Sequence, residues 1–158
     1  MAELKPCVEK IGFQNVVTVL ATGNVILESE HENEVVRRTL EQGISEQFGY
    51  EARALVYTFG ELADIVNDYP FDQFDTAKHD YIILMDDGMA HQLMKLAPEV
   101  DKTNEQIALG NGVIYWNVTK GMTLDSAFAK QITKAAKQGV TTTRNINTLN
   151  KILLKATA

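Results

Sequence analysis

The chain has 158 residues, 45% of them hydrophobic, one cysteine and a formal net charge of −6. That length buries a real core, and the composition is too apolar for a disordered chain. The charge lacks the strong positive field of sequence-independent nucleic-acid binding, and one cysteine cannot close an internal disulfide.

The charge is unevenly spread. Residues 1–100 carry 18 acidic and 7 basic side chains, and residues 101–158 carry 3 acidic and 8 basic. The C-terminal third is therefore the part expected to attract an anion. No apolar run approaches the ~18 residues of a membrane helix, and the longest, Tyr81 to Met85, has strand length. The opening stretch MAELKPCVEK is charged and amphipathic, without a signal-peptide h-region. No membrane partner is expected, and these features favour a reducing, cytoplasmic setting. The sequon Asn117-Val118-Thr119 has no meaning there.

Leu4, Cys7, Val8 and Ile11 fall at helical spacing, so the chain opens with an amphipathic helix that Gly12 ends. A β-rich run from Val16 to Leu27 follows, interrupted by Gly23-Asn24, which reads as a two-residue hairpin turn. Val36, Leu40, Ile44 and Phe48 mark a second helix with Gly49 as its stop. Residues 52–57 (ARALVY) read as a strand. Thr58-Phe59-Gly60-Glu61 is a capping box ahead of Leu62, Ile65 and Val66, and Pro70 closes that helix. The polar and aromatic residues 73–79 read as a linker.

The second half repeats the plan. Asp80 to Asp86 is a strand, and Met89, Leu93 and Leu96 mark a helix stopped by Pro98. Gln106 to Val118 is β-rich and broken by Asn111-Gly112, the strongest short hairpin signal. Phe128, Ile132 and Ala136 share a helical face up to Gly139, and Val140 to Thr143 forms a short strand. Leu149, Ile152 and Leu153 mark a last helix.

The two halves correspond at an almost constant offset. Leu4, Val8 and Ile11 match Met89, Leu93 and Leu96, and Leu40 and Ile44 match Phe128 and Ile132. The second copy reads β-α-β-β-α-β-α, whose first six elements are the order of the ferredoxin-like unit. The expected fold class is thus α+β: tandem ferredoxin-like (βαββαβ) repeats, each followed by an extra helix. The subdomains are 1–72 and 80–158. Strand 80–86, shifted back by the offset, falls ahead of Met1, so the first copy lacks its opening strand. In that topology the opening strand is central, and its loss leaves unpaired backbone groups. Either the natural chain begins upstream, which is the favoured expectation, or a partner fills the gap.

The stretch ELKPCVEKIGFQNVVTVLATGNVILES, with Ile11-Gly12-Phe13 and Thr22-Gly23-Asn24-Val25, resembles the domain of unknown function 1697 family (DUF1697) after its first strand. The closing TTRNINTLNKIL, Thr142 onward, is similar to that family's end. The resemblance covers essentially the whole chain. It implies the fold and a bacterial, cytoplasmic setting, and no activity. Two departures stand out. The family's glycine-rich opening strand is absent here, as the repeat requires. Where the family often shows G-x-S-K-L, this chain has Asp125-Ser126-Ala127-Phe128, so no role for that lysine carries over.

Candidate chemistry is sparse. Arg144, Asn145, Asn147 and Thr148 open the last helix, where backbone N–H groups, a guanidinium and amides can cradle an anion. The competing reading is capping, with Asn145 as N-cap and Thr148 at N3, and Arg144 is the residue capping explains least. Thr22 and Asn24 can add polar groups, or simply build a turn. Lys130, Lys134, Lys137, Lys151 and Lys155 form either a basic rim for a phosphorylated ligand or a solvated surface. The acidic first half is the obvious partner for that rim, within one chain or in a homodimer. Asp86-Asp87 can contribute to a Mg²⁺ site, but no third ligand is evident and helix capping accounts for them. Cys7 reads as a small buried hydrophobe. The three histidines share no metal spacing, and no P-loop, G-x-G-x-x-G, G-x-S-x-G or CxxC occurs. Neither a metal nor a cofactor is expected. Tyr115 and Trp116 alternate on one strand, so one faces the core and the other resembles an exposed RNA platform, a reading the charge disfavours. The leading functional reading is a module binding a small anionic (phosphorylated) metabolite. The alternatives are an enzyme acting on a phosphorylated substrate and a protein-interaction module.

Overall fold

The computed structural model describes residues 3–20, 23–96, 100 and 102–157. Among them are six helices and six strands in two antiparallel sheets, a mixed α+β architecture. The chain divides into two compact units, one of residues 1–60 with 151–158, the other of residues 61–150.

Unit 1 begins with α1 (Leu4–Ile11), which ends at Gly12 as the spacing predicts and buries Cys7 and Val8. β1 (Gln14–Val19) and β2 (Asn24–Glu28) form an antiparallel pair. Asn15 sits at φ 52 within the register shift between Gln14 and Val17, a position Asn tolerates better than most residues. The expected two-residue turn at Gly23-Asn24 is corrected. Asn24 belongs to β2, pairs with Val19, and donates its Nδ2 to the Val19 carbonyl at 3.1 Å. The side-chain bond draws Asn24 into the ladder, so the connection begins earlier, at Leu20.

The second helix, α2 (Asn33–Phe48), stops at Gly49, whose φ of 74 is the left-handed conformation glycine adopts without a Cβ penalty. Gly43 permits close approach to α1, because a Cβ there would lie 2.5 Å from Ile11 Cδ1. Val8, Val16, Val36 and Leu40 form the buried core of this unit.

Residues 52–57 have strand composition but form no strand, a second correction. No described strand forms a ladder with them. Instead, side chains of α2 take two of their backbone donors. Ala52 N–H donates to Ser45 Oγ at 2.8 Å, and Ala54 N–H donates to Glu41 Oε2 at 2.9 Å. A strand is a property of a pair, and β-propensity alone does not supply the partner.

α3 (Phe59–Asn67) starts directly after Thr58 and ends three residues before Pro70. It spans the boundary, with Glu61 onward in unit 2. There the order runs β3 (Lys78–Met85), α4 (Met89–Leu96), β4 (Glu105–Leu109), β5 (Val113–Thr119), α5 (Ala127–Ala135) and β6 (Thr141–Asn145), with sheet order β4-β5-β3-β6. Pro98, expected to stop α4, lies outside the described residues. The β4–β5 turn is the expected one. Gly110 N–H donates to the Val113 carbonyl at 2.8 Å across Asn111-Gly112.

One face of this sheet packs Ile83, Met85, Ile114, Trp116 and Val118 against Ala90, Leu93, Phe128 and Ala129 of α4 and α5. On the other face, Tyr115 donates its hydroxyl to the Ile65 carbonyl at 2.7 Å. Tyr115 and Trp116 are therefore both buried, at 3% and 2% exposure, and the exposed-aromatic reading is overturned. α5 ends at Ala135, ahead of the expected stop at Gly139. Gly139 instead accommodates Met89, whose Sδ would lie 2.6 Å from a Cβ there. α6 (Ile146–Ala156) closes the chain and spans the second boundary between units.

Candidate functional site

β6 owes its form to Thr141, Thr142 and Thr143, β-branched residues that favour extended backbone. It lies at the sheet edge and pairs with β3, setting Arg144 opposite Ile82 and Asn145 opposite Tyr81. Directly opposed residues share a face. Arg144 therefore lies on the face of Ile82 and Tyr115, away from α4 and α5. Its guanidinium is half-buried and donates Nη1–H to the Thr143 carbonyl at 3.2 Å. Burial pulls its pKa below the ordinary arginine value, because desolvation disfavours the charged form.

The helix start beside it is capped. Asn145 Oδ1 accepts the Asn147 N–H at 2.9 Å, an N-cap bond to the second helical residue. Ile146 is buried, Thr148 half-buried and Asn147 exposed. The four candidates Arg144, Asn145, Asn147 and Thr148 thus meet at one strand-to-helix junction. Asn145 acts there as a cap, which withdraws one amide from any anion cradle. Asn24 belongs to unit 1, at the start of β2. Thr22 lies outside the described residues. Lys130, Lys134, Lys137, Lys151 and Lys155 are all exposed.

Asp86 has a structural task. Its Oδ2 accepts the Val140 N–H at 2.8 Å, and its own N–H donates to the Val140 carbonyl at 3.1 Å. This ties the approach to β6 to the end of β3. No group of three potential metal-ligating side chains occurs among the described residues.

Two buried polar clusters escape a reading by motifs. Asp80 Oδ1 accepts the Tyr69 hydroxyl at 2.6 Å and Asn117 Nδ2–H at 2.9 Å. Burial first, then the bond to Asp80, pushes the Tyr69 phenol upward. Glu105, at 2% exposure, accepts the Trp116 indole N–H at 2.9 Å and faces the Phe128 N–H at 3.4 Å. The signal for Asp80 is its alternation with Ile82 and Leu84, which places a carboxylate on a covered face. A groove of about 430 Å³ beside Ile11 and Gly43 in unit 1 contains none of the candidate residues.

A family model described as "Protein of unknown function (DUF1697)" matches residues 1–115. A solved structure described as a conserved bacterial protein from Streptococcus pneumoniae superposes with a TM-score of 0.82 at 18% identity. The alignment covers 100% of this chain and 89% of that one, a likeness of fold. No curated protein matches the chain.

Proposed function

This chain belongs to the DUF1697 family of proteins of unknown function, and from that premise we propose that it is a binding module for a small anionic, phosphorylated metabolite. The observation that carries the reading is the half-buried Arg144 guanidinium at the β6–α6 junction. A cation already desolvated by the fold attracts an anion more strongly than one in bulk water. The adjoining α6 N-terminus adds oriented N–H groups, and Asn147 and Thr148 add polar side chains. The basic balance of residues 101–158 supports the same reading.

The architecture we favour is a tandem of ferredoxin-like units, residues 1–72 and 80–158 joined by 73–79. The order β-α-β-β-α-β and the antiparallel sequence β4-β5-β3-β6 in unit 2 support it. The order α1-β1-β2-α2 in unit 1, followed by the β-rich residues 52–57, supports the same plan there.

The test is a thermal-shift screen with nucleotides, sugar phosphates and coenzyme A derivatives, run on wild type, Arg144→Ala and Arg144→Lys. A ligand at ~100 times its dissociation constant adds about 2.7 kcal/mol, a shift of several degrees for a chain of this size. The expected result is a shift in wild type that Arg144→Ala abolishes and Arg144→Lys weakens, since lysine loses the guanidinium fork. A ligand whose affinity is unchanged in a folded Arg144→Ala protein defeats the proposal.

A further inference from the structure

Along α2, Val35, Arg38, Thr39, Gln42, Gly43 and Glu46 recur at helical spacing and form one stripe. With Ile11 at the end of α1 they line the groove of about 430 Å³ in unit 1. Its floor is the close approach of Gly43 to Ile11. All of the stripe except Gly43 is exposed. The remaining charges of the helix are matched within it, since Arg37 bonds to both Glu34 and Glu41. Arg38 and Glu46 are the two charges that line the groove. Arg38 donates Nε–H to the Glu34 carbonyl at 3.5 Å, and Glu46 Oε1 accepts Gln42 Nε2–H at 3.2 Å. Both of those partners are neutral groups.

We propose that this groove receives α2 of a second copy of the chain, so that two α2 helices pack antiparallel about a two-fold axis at Gln42. The spacing of the charges identifies the occupant. Arg38 precedes Gln42 by four residues and Glu46 follows it by four, about 6 Å along the helix on either side. An antiparallel pair centred on Gln42 therefore sets each Arg38 against Glu46 of the other copy and forms two identical ion pairs. A two-fold interface must be complementary to itself, and this stripe is so in charge. A parallel pair would instead oppose Arg38 to Arg38 and Glu46 to Glu46. Thr39 and Gly43 keep the surface low, which lets two helix axes reach packing distance. Val35 and Ile11 gain apolar cover from the second helix. One helix per partner is a small interface, so the association is weak and depends on concentration.

The test is sedimentation equilibrium of the 158-residue protein from micromolar to millimolar concentration. Wild type is expected to pass from monomer to dimer over that range. Arg38→Glu and Glu46→Arg each bring like charges together at both contacts. Either one raises the dissociation constant about tenfold, and the effect shrinks at high salt. The two variants mixed in equal amounts recover the wild-type affinity, because opposite charges then meet at both contacts. A variant that failed to fold could not be rescued in this way, so the mixture separates a lost interface from a lost fold. Three results overturn the proposal. Wild type that stays monomeric at millimolar concentration leaves the groove to another occupant. A dimer indifferent to both substitutions has its interface elsewhere. A mixture that associates no better than either variant alone removes the Arg38–Glu46 pairing. None of these outcomes bears on Arg144, whose ligand screen stands separately.

Discussion

Glu105 lies on β4 at 2% exposure and accepts the indole N–H of Trp116. The chain has one tryptophan, so its fluorescence reports this contact. Glu105→Ala leaves a buried donor unpaired, at a cost of about 1–3 kcal/mol, whereas Glu105→Gln keeps an acceptor oxygen and costs less. Urea denaturation followed by Trp116 emission checks that order, and equal losses in the two variants refute it. The tyrosines give a pH prediction. Burial, reinforced by the Asp68 charge, pushes the Tyr115 phenol up to about 12, and burial pushes Tyr69 up as well. Folding therefore favours the neutral phenols. That stabilisation is fully present below the unfolded phenol value of about 10 and is lost as pH rises from there through 12. Tyr115→Phe removes one titrating group, so its stability falls less steeply over that window in alkaline denaturation curves.

At the scale of elements, the β4–β5 hairpin and the β6–α6 junction make separate demands. A Cβ on Gly110 would lie 2.6 Å from Tyr115 Cε2 and 2.9 Å from Val113 Cγ2. A packed aromatic ring on β5 yields less readily than the end of a flexible chain. Gly110→Ala thus costs about 1–3 kcal/mol by overpacking, read as a lower urea midpoint at constant slope. Asn145→Ala removes the Asn147 N–H acceptor and costs about 0.5–2 kcal/mol. The junction also shows how far the sequence can be read. Asn145 was legible as a cap because capping is a local bond between near neighbours. The half-burial of Arg144 was not, because the pairing of β6 with β3 produces it.

For the whole molecule, the two units differ in the means to hold themselves together. Among the described residues, unit 1 has a two-stranded sheet and four residues in its buried cluster, while a four-stranded sheet and nine such residues serve unit 2. Two-stranded sheets are marginal without further support. Unit 1 is expected to open first, so far-UV circular dichroism should begin to fall at lower urea than Trp116 emission, which reports unit 2. Coincident transitions would show one cooperative unit and refute this ordering. Amide exchange should place the slowest amides in β3 and β5 and faster ones at 52–57.

The sequence by itself determined α1, α2 and α4, the Asn111-Gly112 turn and the asymmetry of charge, since these follow from spacing, chain stiffness and composition. It also placed Cys7 on a buried stripe. Tertiary structure alone decided that ARALVY forms no strand, that Asn24 joins β2, that Gly139 makes room for Met89, and that Asp80 and Glu105 anchor buried polar contacts. The physical reason is common to all of these. A helix satisfies its backbone from within its own segment, whereas a strand, a close approach or a buried carboxylate is defined by a partner distant in the chain.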